Sequence, residues 1–292
     1  MSATNAFPQI SARRRRTDKV MRASLLAATI VALIPLILII YYLIHKGLSA
    51  WTQSGFFTTD PTGSFFGSPG GIRSAILGSL EIVALATLIS IPIGIGVALY
   101  LTEYGKQSWF ANTVRYFVDV MTGVPSIMFG LFIYIVLVIG RFGGSGFAGW
   151  KGAVALALLM LPIVIRSSEV VLLLVPSSLR EAALALGAPR WRVVFQVVLP
   201  TSATGLLTGS LLAIARGMGE TAPLLFTVST AFALTYDLNA QMNTMPFLIY
   251  TDITSPRAAI QTIAWGTALT LVVIVLILNL VARLIASRSR MA

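Results

Sequence analysis

Six long apolar stretches, at about residues 23–44, 72–101, 117–139, 152–175, 205–233 and 260–285, decide what this chain of 292 residues can fold into. A helix needs ~17 to 25 apolar residues to cross the hydrocarbon core and a barrel strand only ~9 to 11, so each stretch fits a helix and is too long for a strand. The composition agrees: 57% of residues are hydrophobic and 11% charged, with a mean hydropathy of +0.87. That excludes an ordinary soluble domain. The sequence therefore predicts an all-α integral membrane protein, with one domain of six transmembrane helices over 23–286 between a basic tail at 1–22 and a short tail at 287–292. The first stretch follows Arg13, Arg14, Arg15 and Arg16 like a signal peptide. Its apolar run is too long for one, and Leu48-Ser49-Ala50 is a poor cleavage site, so it reads as a retained helix.

Orientation follows from the basic residues. With the N-terminus inside, fourteen of the 21 Lys and Arg residues fall on inside segments, among them Arg13 to Arg16, Lys106, Arg115, Arg180 and Arg290. Five fall outside, namely Lys46, Arg73, Arg141, Lys151 and Arg257, while Arg166 and Arg216 remain within spans. This bias predicts that both termini and the loop around Arg180 are cytoplasmic. It also absorbs the net charge of +11, so no nucleic-acid partner is implied, and Arg13 to Arg16 suit contact with anionic membrane lipid. The two longer outside segments, 46–71 and 235–259, read either as platforms for an extracytoplasmic partner or as plain connections with interfacial aromatics such as Trp51, Phe56 and Phe57.

Ionisable side chains inside spans are expensive, at ~2.5 to 3.5 kcal/mol on insertion scales, and so are candidates for function. Arg216 and Glu220 stand four apart on one helical face, about twelve residues into the fifth span, which places them near the midplane. They read either as an intrahelical ion pair, with Gly217 and Gly219 serving close packing, or as the lining of a polar path in which arginine offers a fork to an oxyanion. Arg166, in the fourth span, lines the same path, snorkels to the cytoplasm, or pairs with Glu169. Glu81 reads as structural.

Enzymatic chemistry finds little support. Gly105-Lys106 is followed by Gln107 and lacks the glycine pattern of a phosphate loop, so the chain holds no ATPase site of its own. Gly143-Gly144-Ser145-Gly146 lies far from the single histidine, His45, so a serine hydrolase lacks its base. The absence of cysteine and of clustered histidines or carboxylates argues against a metal site. The sequence thus predicts no catalytic residue, no metal ligand and no cofactor bound by the chain.

Between the fourth and fifth spans, Ser178-Leu179-Arg180-Glu181 fits a capping box, 179–186 is rich in Ala and Leu, and Gly187 with Pro189 stops the helix. Pro189 then opens a second short helix through Trp191, Phe195 and Val198 until Pro200 ends it. The small Ala182 and Ala183 allow another protein to approach closely. Glu181-Ala182-Ala183, Gly187 after three more residues, and Val197 before Leu199-Pro200 resemble the cytoplasmic docking loop of ABC importer permeases. Together with Ala213 to Thr227, Gly123-Val124-Pro125-Ser126, Tyr100-Leu101-Thr102-Glu103-Tyr104 and Arg166 with Glu169, they resemble the PstA-type permease subunit of the bacterial phosphate ABC importer.

The resemblance implies a type I ABC importer permease fold with cytoplasmic coupling helices, in the bacterial plasma (inner) membrane. It implies as partners a second, homologous permease, two copies of a nucleotide-binding ATPase that uses ATP and Mg, and an extracytoplasmic phosphate-binding protein. Glu181, Ala182, Ala183 and Gly187 would dock on the ATPase, and Arg216, Glu220 and Arg166 would line the phosphate path. The alternatives are a permease for another oxyanion or small solute, or a membrane sensor that keeps the fold without transporting.

Overall fold

A computed structural model describes residues 11–63, 67–105, 107–140, 144, 146–231 and 233–288. Lys106, Arg141, Gly143, Ser145, Arg290 and the outermost residues of both tails lie outside that set. The described residues are mostly helical and contain no strand beyond one isolated antiparallel bridge between Pro61 and Gly70. Among the described residues, five helices are long and apolar enough to cross a bilayer, and a sixth span arises if one sharply bent pair is counted together.

The long elements are α1 (Ala12–Trp51), α2 (Arg73–Leu99), α5 (Gly149–Leu173), α8 (Leu199–Gly219) and α11 (Ala258–Arg288). The basic residues from Arg13 to Arg22 lie on α1 itself rather than on a separate tail. α2, α5 and α8 form the centre. Ile82, Val83 and Ala86 of α2, Leu156, Met160 and Val164 of α5, and Ala213 and Met218 of α8 share one buried cluster. Small residues set how closely the backbones approach. A Cβ on Gly205, Gly209 or Gly217 would meet Val171, Ser167 and Met160 at 2.5, 2.4 and 2.9 Å. α8 therefore lies antiparallel against α5 along a stripe of small residues, the usual way for helices to associate without a hydrophobic driving force.

The third span is not the continuous helix expected over 117–139. α3 (Trp109–Gly123) and α4 (Ser126–Ile133) meet at a bend of 103°. The cause is local: Val124, which precedes Pro125, is pushed into extended backbone with φ −74° and ψ 130°, and the helix restarts only after the proline. A wide π-helical turn, Tyr134–Val138, follows α4. Similar wide turns extend α2 at Tyr100–Gly105 and precede α8 at Val194–Val198.

The 46–71 segment is not a plain connection. Phe56 is fully buried and its carbonyl accepts the Ile72 N–H at 2.8 Å, while the Trp51 indole donates to Thr270 Oγ1 at 3.0 Å. Asp60 gathers Arg73 Nη2 at 2.7 Å, Ser74 N at 3.1 Å and Leu234 N at 3.2 Å. It thereby caps the N-terminus of α2 from a distance and ties it to the 230s. The bond from Arg73 holds its carboxyl below the ordinary aspartate range. The other long connection, 235–259, contains its own helix, α10 (Met245–Ile253).

Candidate functional site

Between α5 and α8 the chain forms α6 (Ser177–Ala185) and α7 (Arg190–Val193). The expected capping box is absent. Pro176 occupies the N-cap position, so Ser178 lies inside the first turn and caps nothing. The C-terminus forms as expected: Gly187 takes φ +80°, its N–H donates to the Leu184 carbonyl at 2.9 Å and that of Ala188 to the Ala183 carbonyl at 3.2 Å. This paired closure needs a left-handed residue.

Pro200 does not end the second helix. It sits in the first turn of α8, and a helix bent little enough to count as one span runs from Arg190 to Gly219. The wide turn at Val194–Val198 shifts the hydrogen-bond register just ahead of the proline, whose missing N–H then leaves no gap in a regular ladder.

No side chain of α6 is buried, and Leu179, Leu184 and Leu186 are exposed on or just beyond it. Glu181 and Ala182 are exposed and Ala183 half-buried. Arg180 is drawn inward as well, with its side chain 21% exposed. Nη1 donates to the Val175 carbonyl at 2.6 Å, Nη2 to Leu172 at 2.9 Å, and Nε to Glu103 Oε1 at 3.0 Å. Glu103 belongs to the wide turn that ends α2, so one guanidinium joins α6 to the ends of α2 and α5. Sequence reasoning missed this pair, because 77 residues separate the partners.

At the far end of α8, Arg216 Nε meets Glu220 Oε1 at 3.3 Å. The pair is not in mid-helix. α8 ends at Gly219, Glu220 is extended with ψ 126°, and α9 (Ala222–Leu225) follows with Pro223 in its first turn. The pair thus stands at the end of the 30-residue run from Arg190, about 45 Å from its start at ~1.5 Å per residue. There the arginine sits in the last turn of α8, where the helix dipole favours a positive charge. Arg216 is 58% exposed and Glu220 17%, so the guanidinium is available while its partner is held. The two helix breaks are linked, since a Cβ on Gly130 of α4 would lie 2.6 Å from Pro223 Cα.

Arg166 pairs with Glu169, as one of its readings had it, through Nη1 to Oε2 at 2.8 Å. It also binds Asp119 of α3 and donates to the Arg115 carbonyl. Arg115 in turn donates from Nε to Glu169 Oε1 at 2.7 Å and from Nη2 to the Leu101 carbonyl at 2.9 Å. Four charges therefore form a chain, Arg115, Glu169, Arg166, Asp119, that fastens α3 to α5. The spacing of four between Arg115 and Asp119 put them on one face, which was the only sequence signal for their part. Arg166 also lines an open groove of about 830 Å³ between α5 and α8, with Ser167, Thr201, Thr204 and Thr208. It does not meet Arg216. With Gly209 against Ser167 and Gly217 against Met160, the two arginines stand about 8 Å apart along the antiparallel axes. Among the described residues no cluster of His, Cys, Asp or Glu could hold a metal ion.

Residues 90–291 match the family described as binding-protein-dependent transport system inner membrane component. The phosphate transport system permease protein PstA of Yersinia pestis is 40% identical over 95% of this chain and 92% of its own length. PstA 1 of Mycobacterium tuberculosis strain CDC 1551 is 38% identical over 97% of this chain and 94% of its own. Among solved structures, a chain of a bacterial alginate ABC transporter superposes with a TM-score of 0.67 at 16% identity, covering 94% of this chain and 96% of that one. A chain of the inward-facing MetNI methionine ABC transporter gives 0.60 at 18%, covering 75% and 97%. These two similarities establish the fold.

Proposed function

Because the chain belongs to the family of binding-protein-dependent transport system inner membrane components, and within it to the PstA permeases, we propose that it forms one half of the phosphate pathway of an ATP-driven importer. The observation that carries this is the near-full-length similarity to PstA relatives. A second permease supplies the other half, an extracytoplasmic phosphate-binding protein delivers the anion, and two ATPase subunits bind ATP and Mg. The excess of Lys and Arg on the α6 side favours a cytoplasmic position for that loop and for both termini.

The geometry suits the role. α6 offers exposed Leu179 and Leu184 beside the small Ala182 and Ala183, a surface that fits the groove of another protein, and Gly187 turns the chain back toward the spans. Arg216 presents a guanidinium that can hold two phosphate oxygens at once. Glu220 balances its charge while the site is empty and can accept a hydrogen bond from protonated phosphate, which sulfate cannot donate.

Uptake of labelled phosphate by the reconstituted complex tests the reading. Arg216→Lys removes the fork and should cut uptake by about tenfold, the effect of ~1.4 kcal/mol, while Glu220→Gln should lower preference for phosphate over sulfate. Unchanged uptake in both variants would remove the pair from the path. Absence of ATP-dependent uptake by the unsubstituted complex would instead favour a non-transporting sensor.

A further inference from the structure

We infer that Arg180 and Glu103 form the joint through which movement of α6 reaches the spans, making both of them positioning residues for transport. The inference rests on the reading of α6 as the ATPase-docking element and goes beyond it by naming how the push is passed on.

A helix can transmit displacement only through contacts that resist it. α6 has no buried side chain, and its apolar attachment is slight: half-buried Ala183 packs against the small cluster of Leu172, Val175, Val193 and Val198, and Leu184 lines a cavity with Val193 and Val194. Arg180 supplies the remaining grip. Its guanidinium spends its donors on three fixed acceptors at 2.6 to 3.0 Å: the Val175 and Leu172 carbonyls and the Glu103 carboxylate. The carbonyls stand at and just beyond the end of α5, where the regular helix ladder stops and Leu172 keeps the Val175 N–H, at 3.3 Å. Glu103, only 12% exposed, belongs to the end of α2. A planar fork on three acceptors in three directions resists rotation as well as translation, which a single ammonium would not do.

The surroundings agree. α2 and α5 pack along their length in the central cluster, so a load placed on both ends moves them as one body. The segments that touch the joint are irregular: Glu103 and Tyr104 lie in one wide turn and Val194 in another. Both line a cavity of about 190 Å³ beneath α6 together with Arg180, Glu181 and Arg190. Such turns yield more readily than regular helix. Without the Arg180 joint, displacement of α6 would close the cavity instead of moving the spans.

The chain has no cysteine, so spin labels can be placed at chosen positions of this subunit before it is assembled with its unlabelled partners. Labels at Ala185→Cys on α6 and Gln107→Cys beyond the end of α2 report the distance across the joint. With Arg180 and Glu103 intact, one narrow distance is expected both with and without nucleotide. Glu103→Gln should at least double its width and lower the phosphate moved per ATP hydrolysed by about fivefold or more, the low end of a coupling free energy. Arg180→Lys should fall between. If Glu103→Gln does not assemble, Glu103→Asp, which keeps the charge and draws it back by one methylene, is read in the same way.

A distance distribution that stays narrow in the Glu103 variant overturns the inference, whatever happens to uptake. So does an unchanged ratio of transport to hydrolysis. Absence of ATP-driven uptake in the unsubstituted complex would defeat the proposed function while leaving the distance measurement able to judge the joint.

Discussion

Glu169→Gln tests the charge chain that holds α3 against α5. The Glu169 side chain is 7% exposed and receives Arg115 Nε at 2.7 Å and Arg166 Nη1 at 2.8 Å. Glutamine keeps the shape, but its single carbonyl oxygen serves one guanidinium and its amide turns donors toward the other. Breaking a buried ion pair costs ~3 to 5 kcal/mol. Here the arginines are 26% and 32% exposed and each keeps a second acceptor, Leu101 O for Arg115 and Asp119 for Arg166. Water and those acceptors reduce the loss, so about 2 kcal/mol is expected. For a chain of this size that corresponds to a fall of roughly 5 °C in midpoint, read as the temperature at which the purified complex loses its size-exclusion peak. Asp119, 62% exposed, serves as the comparison, and Asp119→Asn should shift the midpoint by under ~1 °C, as exposed pairs do. Equal shifts for the two variants, or none for Glu169→Gln, would refute the assignment of Glu169 as the centre of the network.

Lys151 is buried with its ammonium donating to the carbonyls of Leu137, Gly144 and Gly146 at 2.7 to 2.9 Å. Lys151→Met recovers the cost of burying the charge but orphans three carbonyls, for a net loss of about 2 kcal/mol, seen as a lower midpoint and faster proteolysis near Gly146. Gly187→Ala meets no atom within 4 Å, so its cost is conformational alone, about 1 kcal/mol for a left-handed residue. Amide exchange at the end of α6 should then speed up by about fivefold. Asp252 lines a cavity of about 290 Å³ with Thr230, Thr251 and Ser255, and burial pushes its carboxyl up from 3.8 to about 6. A raised acid contributes stability below its unfolded value and loses it as pH rises through the folded one. Asp252→Asn should therefore match the parent near pH 4 and exceed it in thermal midpoint near pH 7, and a gap that does not grow with pH would contradict the placement.

Much of the architecture was legible because length and hydropathy report directly on a bilayer. The breaks were not, and proline shows why. Pro35, Pro92 and Pro162 sit inside continuous helices, Pro200 opens one, and Pro125 and Pro223 stand at breaks. Proline removes one donor and frees one carbonyl everywhere. Whether the helix survives depends on what else satisfies that carbonyl, a property of the neighbours that no local pattern carries. The site divides in the same way. Arg166 with Glu169 and Arg216 with Glu220 were readable as pairs at helical spacing, although the second stands at a helix end. Arg115, Asp119 and Glu103 acquire their roles through contacts 47 to 77 residues away in sequence, beyond any periodicity.

α1 touches the rest of its chain near one end only, where Leu43 and Ala50 are buried and a Cβ on Gly47 would meet Leu269 at 2.8 Å. Residues 20–40 are exposed along their whole length. α1 precedes α11, the helix it docks on, in the order of synthesis. It can settle in lipid as a complete, independently stable rod long before α11 exists. Its docking has to wait for α11, and its free flank is surface that the chain leaves to lipid or to another protein to cover.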